Sequence, residues 1–440
     1  MDFDPIKYRV VAFLAKYRCA ILTGHLLSFL VVKGQCKSRG RQPINILCLP
    51  KQGFSQDVET IFEEVEHFCL FRLKRKLLKT VFYQFLPKTV DDNNYIGNND
   101  HDNAKKALRL FWSKALTILI KKYGFDLVLT GNYSYASEQE FAAACEQLGV
   151  RFVALHKECL KTPGLEPFYT DVYKTKKNKF QGSVSLVYNE IEKGIQKNSE
   201  VVSADKIIVT GMARMDRLHK LRLERTAPDK PQILFFSFNP KAGLPIIGRK
   251  IPQRFEKLSA DLDDLHLKTL SKSCHLLMLD IARDNPDINV VIKTKGDGQS
   301  LITLRDIFGE DPDFPANLEI MAGGDLISVL NVSCVATGFN STALLEAIAL
   351  GVKVVVPHFE EAVDQRIQPY IVDLENGATK CLTIDDYKER LVTHARRVVR
   401  EEFVKDIDPE QKRLLEHWLG NPDGCAGERV LNELNLLLSK

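Results

Sequence analysis

The sequence lacks any cysteine or histidine pattern of a metal site. Its ten cysteines are scattered over 440 residues, with no C-x-x-C pair and no Cys/His cluster at the spacing of zinc ligands. Scattered thiols are typical of small core residues in a reducing compartment, so we expect a cytoplasmic protein without structural zinc. Asp261 and Asp263 have D-x-D spacing, but their surroundings indicate a solvated helix, and we predict no metal ligand there.

The sequence also has neither a large net charge nor a membrane-spanning run. Its 61 basic and 57 acidic side chains leave a formal net charge of +4, which gives no field suited to nucleic acid. The N-terminus is acidic before it is basic and lacks the pattern of a secretory signal. The apolar stretch 19–32 is too short to cross a bilayer and predicts a buried helix, with a membrane-associated hairpin as the alternative.

The run FRLKRKLLK at 71–79 carries leucines on one side and basic residues on the other. This pattern predicts an amphipathic helix that packs on its own domain. A helix of this kind can also lie on an anionic membrane surface. Peripheral contact through 71–79, at the inner face of the cytoplasmic membrane, is therefore the alternative.

Short apolar runs, each followed by small or polar residues and a helical pattern, form two series along the chain. Continuous apolar strands that alternate with helices are typical of parallel sheets covered on both faces, so the fold class is α/β with two doubly wound, Rossmann-like domains. The first series comprises 44–50, 125–132, 150–158, 183–190 and 205–214, and the second comprises 232–239, 288–298, 317–323, 332–338 and 352–358.

The polar, proline-containing stretch RLERTAPDKP at 222–231 predicts the domain boundary. The N-terminal domain would span 1–225 and include a helical N-terminal extension. The C-terminal domain would span 226–440 and include C-terminal helices, one of which crosses back to the first domain.

Polar residues follow the predicted strands of both series. In open parallel sheets, ligands bind beyond the carboxyl ends of the strands, so these residues predict a cleft between two facing domains. The candidates are His156, Glu158, Asp216, Ser237, Asn239, Lys293, Lys295 and the segment from Gly338 to Thr342.

The stretch TGFNSTALLEAIALGVKVVVPHF at 337–359 combines a tight turn with a helix start. Gly338 permits the turn, Asn340 or Ser341 can cap the helix, and the free N–H groups of its first turn predict a phosphate site. Thr342 and Glu346 are four residues apart and share a helix face, which suits Glu346 to ribose hydroxyls. A simple capped helix with an exposed glutamate is the alternative.

Four further candidates surround this predicted phosphate site. Lys293 and Lys295 end a strand, where they can neutralise phosphate or form a solvated pair. Ser237 and Asn239 begin the first loop of the second domain, where they can approach a ligand or simply form a turn.

Two carboxylates of the first domain are candidate catalysts. Glu158 and Asp216 each follow a predicted strand, and either can act as a general base or as a nucleophile at an anomeric carbon. Each can instead be a structural ion-pair partner, of Lys157 or of Arg214 respectively. His156 is an alternative base.

Taken together, these residues resemble those of GT-B glycosyltransferases. The second-domain element from Gly338 through Glu346 and Gly351 to Pro357 carries the resemblance. TGMARMD (210–216) resembles a strand end of bacterial surface-polysaccharide transferases, including CDP-glycerol glycerophosphotransferases. FDLVLTGNYSYASEQEF (125–141) with VALHKE (153–158) is similar to the retaining β-Kdo transferases, which use CMP-Kdo.

The resemblance implies a metal-independent glycosyltransferase of capsule, O-antigen or lipopolysaccharide synthesis. The C-terminal domain would bind a nucleotide-sugar donor, CMP-Kdo first among them, as substrate and without a cofactor. The N-terminal domain would hold a saccharide or lipid-linked acceptor and the catalytic carboxylate, Glu158 or Asp216. The alternatives are a CDP-glycerol-type glycerophosphotransferase, a nucleotide-sugar 2-epimerase of the same architecture, and a non-catalytic nucleotide-binding module.

Overall fold

The computed structural model shows two α/β domains, each built on a central sheet. The structure describes residues 4–37, 42–51, 53–92, 94–95, 99–174, 180–244, 264–295, 298–310, 312–398 and 405–439.

The first sheet contains seven described strands. They are β1 (Val32–Lys37), β2 (Ile44–Leu49), β3 (Phe68–Arg72), β4 (Phe125–Thr130), β5 (Arg151–Leu155), β6 (Val184–Val187) and β7 (Ile207–Val209). Their spatial order is β1-β3-β2-β4-β5-β6-β7. β1 is antiparallel to β3, and the other neighbouring pairs are parallel.

The second sheet contains six described strands, all parallel. They are β8 (Gln232–Phe236), β9 (Asn289–Thr294), β10 (Leu318–Ala322), β11 (Val335–Gly338), β12 (Lys353–Pro357) and β13 (Thr379–Cys381). Their order, β10-β9-β8-β11-β12-β13, is the 3-2-1-4-5-6 order of a Rossmann domain.

Helices pack around both sheets. Those up to the domain junction are α1 (Asp4–Lys16), α2 (Ala20–Leu30), α3 (Phe54–Phe62), α4 (Arg75–Phe82), α5 (Asp102–Tyr123), α6 (Ala136–Gln147), α7 (Leu165–Lys174), α8 (Glu190–Asn198) and α9 (Asp216–Glu224). Those after it are α10 (Lys268–Asp284), α11 (Gly298–Phe308), α12 (Leu326–Asn331), α13 (Thr342–Leu350), α14 (Ile384–Val398), α15 (Pro409–Leu419) and α16 (Ala426–Leu438).

The strand order confirms the predicted fold class, and a strand lies within each of the ten predicted runs. These strands were predictable because parallel strands covered on both faces consist of continuous apolar residues. Three strands were missed: β1 is exposed along its whole length, β3 merges into a basic run, and β13 has only three residues.

The segment 71–79 packs on its own domain. Leu73, Leu77 and Leu78 are buried in the first domain's core, so these leucines offer no apolar face to a lipid surface. The segment is also not one helix, because Phe71 and Arg72 end β3 and α4 begins only at Arg75.

The predicted buried helix in 19–32 is only half buried. α2 turns Ala20, Gly24 and Leu27 inward, and a Cβ at Gly24 would lie 2.6 Å from the backbone oxygen of Ala115 on α5. The opposite face of α2 is exposed, with Phe29 among its apolar side chains. None of the described helices combines the length and apolarity needed to span a bilayer.

Two cysteines depart from the prediction that all ten are thiols. Cys36 on β1 and Cys69 on β3 form a disulfide between neighbouring antiparallel strands, with their Cα atoms 4.1 Å apart. This pairing was not predictable from the sequence, because the two residues are 33 positions apart and β1 was not predicted.

A buried arginine joins the two domains. Arg222 on α9 donates to the carbonyl of Ile348 in the last turn of α13 at 3.1 Å, and to the carbonyls of Lys405 and Asp406 at 3.0 and 2.6 Å. The C-terminal helix α16 returns to the first domain, where Val430 and Leu434 share a core cluster with residues of α3.

Arg222→Met should lower the free energy of unfolding by about 2–3 kcal/mol, because the buried carbonyl of Ile348 and the partly buried carbonyls of Lys405 and Asp406 lose a charged donor. Urea denaturation measures this loss. Lys220→Met on the same helix is the control, since Lys220 makes an exposed pair with Glu64 that is worth well under about 1 kcal/mol. Equal losses in both variants would show that Arg222 does not hold the junction.

Candidate functional site

The centre of the second sheet has the geometry of a ligand crevice. β8 and β11 are neighbours, and the chain leaves their carboxyl ends towards opposite edges of the sheet. Such a switch point is the usual ligand site of an open parallel sheet. The loop after β8 and the start of α13 meet there.

The connection from β11 to α13 depends on a glycine and a serine. A Cβ at Gly338 would lie 2.9 Å from both the Cβ and the backbone oxygen of Phe236, so only glycine lets β11 pass this close to β8. Ser341 caps α13, and its hydroxyl accepts from the N–H of Ala343 at 3.3 Å. The first turn therefore begins where the sequence predicted, with Ser341 rather than Asn340 as the cap.

Asn340 instead joins the surrounding loops. Its amide nitrogen donates to the carbonyls of Ala242 and Tyr370 at 3.3 and 2.8 Å, and its amide oxygen accepts from the N–H of Val372 at 2.9 Å. Gly243 is required beside it, because a Cβ there would lie 1.8 Å from the amide nitrogen. Asn340 thus shapes the site and has little amide capacity left for a ligand.

A cavity of about 100 Å³, which we call the α13 cavity, opens at this helix start. Apolar side chains form one part of its wall, while His358 and Lys380 contribute polar groups, with the Lys380 ammonium 2.9 Å from Asp373. It is lined by Phe339, Asn340, Ser341, Leu344, Val356, Pro357, His358, Gln368, Ile371, Val372, Asp373, Leu374 and Lys380.

Glu346 lies in a different cavity. It lines a larger space of about 550 Å³ between the domains, which we call the interdomain cavity. Leu344 faces the α13 cavity, and two helical residues later the chain has turned by about 200°, so Glu346 faces away from it. The other lining residues are Gln35, Gln56, Glu59, Thr60, Glu63, Arg214, Met215, Arg217, Leu218, Gly324, Asp325, Leu326 and Ile327. The sequence predicted phosphate at the helix start and ribose on Glu346, along the face that Glu346 shares with the exposed Thr342. A ligand in the α13 cavity lies on another side of the helix from Glu346.

A buried polar cluster lies beside Glu346. The hydroxyl of Tyr188 donates to Asp57 at 2.7 Å, and the Arg214 guanidinium lies 3.2 Å from the same carboxylate oxygen. Burial disfavours the charge on Arg214, but Tyr188 and Asp57 outweigh it and raise its pKa. Burial also raises the pKa of Glu346, an effect that Arg214 opposes.

Sequence reasoning missed two members of this cluster. Asp57 lies in a helix and follows no strand, so the rule that ligands bind beyond strand ends did not predict a role for it. Its position among Phe54, Val58 and Ile61 was a usable signal, because an acid on an apolar helix face requires a buried partner. Tyr188 directly follows β6, and an aromatic residue at the end of an apolar strand is typical of a core position rather than of a polar cluster.

The other second-domain candidates make local contacts. Lys293 donates to the carbonyl of Gly323, and burial lowers its pKa. Lys295 is exposed. The side-chain oxygen of Asn239 accepts from the N–H of Lys241 at 2.8 Å, which is the turn chemistry given above as the alternative.

The first-domain candidates after β5 differ in exposure. Glu158 is 52% exposed, and its carboxylate lies 3.2 Å from the Lys157 ammonium. Burial raises the pKa of Glu158, but Lys157 together with the nearby His156 and Lys161 opposes it, and the net shift is downward. His156 is buried, with its Nε2 3.1 Å from Glu192, whose other oxygen lies 3.4 Å from Lys161.

Hydrogen bonds of Asp216 join the first domain to the C-terminal helix α16. Its carboxylate accepts from the side chain of Asn421 at 2.6 Å and from the N–H groups of Ala426 and Gly427 at 3.1 and 2.7 Å. Burial raises the pKa of Asp216 although these hydrogen bonds oppose the shift. Both carboxylate oxygens are thus engaged at the start of α16.

Two lysines approach the same edge of the first sheet. Lys51 follows β2, and its ammonium donates to the hydroxyl of Tyr135 at 2.7 Å. Burial and then the charge of Lys157 lower the pKa of Lys51. The Lys157 ammonium lies beside the start of α3, because a Cβ added at Gly53 would be 3.9 Å from it.

Among the residues that the structure describes, no three His, Cys, Asp or Glu side chains are grouped to hold a metal ion. Asp261 and Asp263 lie outside the described residues.

No family profile and no curated protein matches the chain. Solved structures that it resembles include UDP-GlcNAc 2-epimerases and a glycosyltransferase. The epimerase from Neisseria meningitidis bound to UDP-GlcNAc is 14% identical, with a TM-score of 0.44 and coverage of 89% of this chain and 100% of that chain. The epimerase from Methanocaldococcus jannaschii is 12% identical, with a TM-score of 0.47 and coverage of 90% and 99%.

The glycosyltransferase is from Rickettsia africae and is 13% identical, with a TM-score of 0.44 and coverage of 91% and 100%. Identities and TM-scores of this size assign no activity to this chain. The two Rossmann-like domains are assigned from the strand orders of the two sheets and not from these neighbours.

The remaining candidate, Ser237, contacts a buried histidine and gives a pH prediction. Nε2 of His275 lies 2.9 Å from the Ser237 hydroxyl, and its Nδ1 lies 2.6 Å from the carbonyl of Ser271. Burial lowers the pKa of His275 to about 4 from its ordinary value near 6.5. Below about pH 6.5 the unfolded chain therefore binds a proton that the folded chain excludes.

The His275 contribution to stability should be complete above about pH 6.5 and fall by about 3 kcal/mol as the pH drops to about 4. Urea denaturation across this range measures it. His275→Gln removes the titrating group, so the variant should lose less stability over the same interval. Identical pH dependence in both proteins would contradict a neutral, buried His275.

Proposed function

We propose that the protein binds a nucleotide-activated sugar with the nucleotide in the α13 cavity. The observation that carries this proposal is the cavity itself, which lies at the switch point of a Rossmann sheet and contains the start of a capped helix. Free N–H groups of the first turn suit phosphate. The apolar wall suits a flat base, and Lys380 supplies a cation beside it.

The sugar would extend from this cavity towards the loop that follows β5. The N–H of Gly164 in that loop donates to the carbonyl of Pro369 at 2.8 Å. Pro369 adjoins Gln368, which lines the α13 cavity. The loop that carries Glu158 therefore abuts the wall of the proposed nucleotide site.

Glu158 is the better of the two catalytic candidates. Its carboxylate is partly exposed and is held ionised by Lys157, whereas both oxygens of Asp216 are engaged by α16. An ionised carboxylate can displace the nucleotide at the anomeric carbon and form a glycosyl ester. An acceptor hydroxyl then bonds to that carbon, gives its proton to solvent and releases the carboxylate. The proposed enzyme is therefore a glycosyltransferase that needs no metal ion.

Kdo delivered as CMP-Kdo is the donor sugar of this proposal. Kdo carries its own carboxylate, and Lys51 and Lys157 provide two cations at the edge of the first sheet. The acceptor, a saccharide or lipid-linked saccharide, would bind on the first domain.

Addition of CMP should raise the melting temperature of the protein, because a ligand of the folded state stabilises it by mass action. Lys380→Glu places a negative charge in the α13 cavity and should lose most of this rise. Lys388→Glu is the control, since that lysine lies on α14 in an exposed pair with Asp284 and should keep the full response. A thermal-shift series with CMP, CDP, UDP and GDP measures all three proteins.

A selective response to CDP would favour glycerol phosphate transfer over Kdo transfer, and a response to UDP or GDP would exclude Kdo as the sugar. No response from folded protein would contradict the nucleotide site. Transfer from CMP-Kdo that Glu158→Gln abolishes, with the CMP response intact, supports the catalytic assignment. Turnover without an acceptor would show an epimerase instead.

A further inference from the structure

The N-terminal helices expose an unusual number of large apolar side chains. On α1 they are spaced by three or four residues and form one stripe along the helix. The exposed fractions reach 59% at Phe13 and 78% at Phe29. The set on α1, the turn after it, α2 and the start of β1 is Ile6, Val10, Phe13, Tyr17, Ile21, Leu22, Phe29 and Val32, and we call it the N-terminal face.

The exposure does not come from loose packing. α1 turns Val11 and Ala15 fully inward, and α2 turns Leu27 inward against the core. α2 also lies so close to α5 that only glycine fits at position 24. Each helix therefore has a buried face and a separate apolar face that no described residue covers.

After Asp4, at the first position of α1, the sequence of this face carries charge of one sign. From residue 5 to residue 56 the sequence contains no aspartate and no glutamate. The same stretch contains nine basic residues: Lys7, Arg9, Lys16, Arg18, Lys33, Lys37, Arg39, Arg41 and Lys51. Among those that the structure describes, Arg9, Lys16 and Lys33 are exposed next to the apolar stripe.

Neighbouring helices extend the basic rim. The Lys122 ammonium of α5 lies 4.6 Å from the ring of Phe29, and Lys114 and Lys121 on the same helix are exposed. On α4 the Lys76 ammonium lies 4.6 Å from the ring of Tyr8.

We propose that the N-terminal face docks on an anionic lipid bilayer. Apolar side chains on helices that lie in the surface plane insert into the headgroup region, and surrounding lysines and arginines are attracted to anionic lipids. Both components are present on α1 and α2, which contact each other, and on the helices α4 and α5 that pack against them. This site differs from 71–79, whose leucines are buried.

A second copy of the chain is a poorer occupant. A two-fold contact places the same patch on both sides, so the basic rim would face itself. The net charge of the whole chain is only +4, so the concentration of basic residues here is local and not a property of the whole surface. The inference does not rest on the proposed sugar transfer, because it uses no residue of either cavity.

Co-sedimentation with vesicles tests the proposal on the full chain. The protein should bind vesicles of phosphatidylcholine mixed with phosphatidylglycerol, release from them at high salt, and bind pure phosphatidylcholine much less. Replacing Arg9 and Lys16 together with glutamate should reduce the bound fraction at least about tenfold. Replacing Phe13 and Phe29 together with serine should also weaken binding, because their side chains insert.

The matched controls lie on the second domain. Serine replacing Leu301 and Leu382, which are 45% and 68% exposed, should leave binding unchanged. The charge variant keeps the proposal testable if the Phe13 and Phe29 variant fails to fold, since Arg9 and Lys16 are solvated. Light scattering measures the mass of the protein in solution and therefore detects a dimer, in which a second copy of the chain would cover the face.

Three outcomes would overturn the proposal. The first is no binding to the anionic vesicles, and the second is equal binding by the wild-type protein and the charge variant. The third is a dimer in solution that dissociates when Phe13 and Phe29 are replaced.

Discussion

The hydrogen bonds of Asn340 hold the second domain's ligand crevice in shape. One amide group joins the loop after β8 to the loop after β12, because it contacts Ala242, Tyr370 and Val372 at once. The backbone of Asn340 is left-handed, with a φ of 52°, a conformation that asparagine tolerates better than most residues. The glycines at 243 and 338 allow the close approaches that this arrangement requires.

The two domains are arranged so that polar groups of each approach the other. Arg222 fixes α9 to the end of α13, and Gly164 fixes the loop after β5 to the loop that borders the α13 cavity. These contacts separate two spaces with different chemistry. The α13 cavity combines an apolar wall with a helix start, whereas Arg214 and Glu346 line the interdomain cavity.

Local sequence patterns were sufficient for ten of the thirteen described strands and for the start of α13. A fully buried parallel strand and a serine cap are both determined by residues that are adjacent in the chain. The contacts of Asn340 were not predictable in this way, because its partners lie about 30 and 98 positions away. The direction of Glu346 was missed because helical spacing gives relative angles between side chains but not the side on which a ligand lies.

The proposed function depends on whether a nucleotide occupies the α13 cavity. A crystal structure of the protein with CMP tests this most directly. The account predicts the base against the apolar wall near Val356, the phosphate at the N–H groups that follow Ser341, and Asn340 still bonded to its loops. A nucleotide bound instead in the interdomain cavity, with its phosphate on Arg214, would contradict the account.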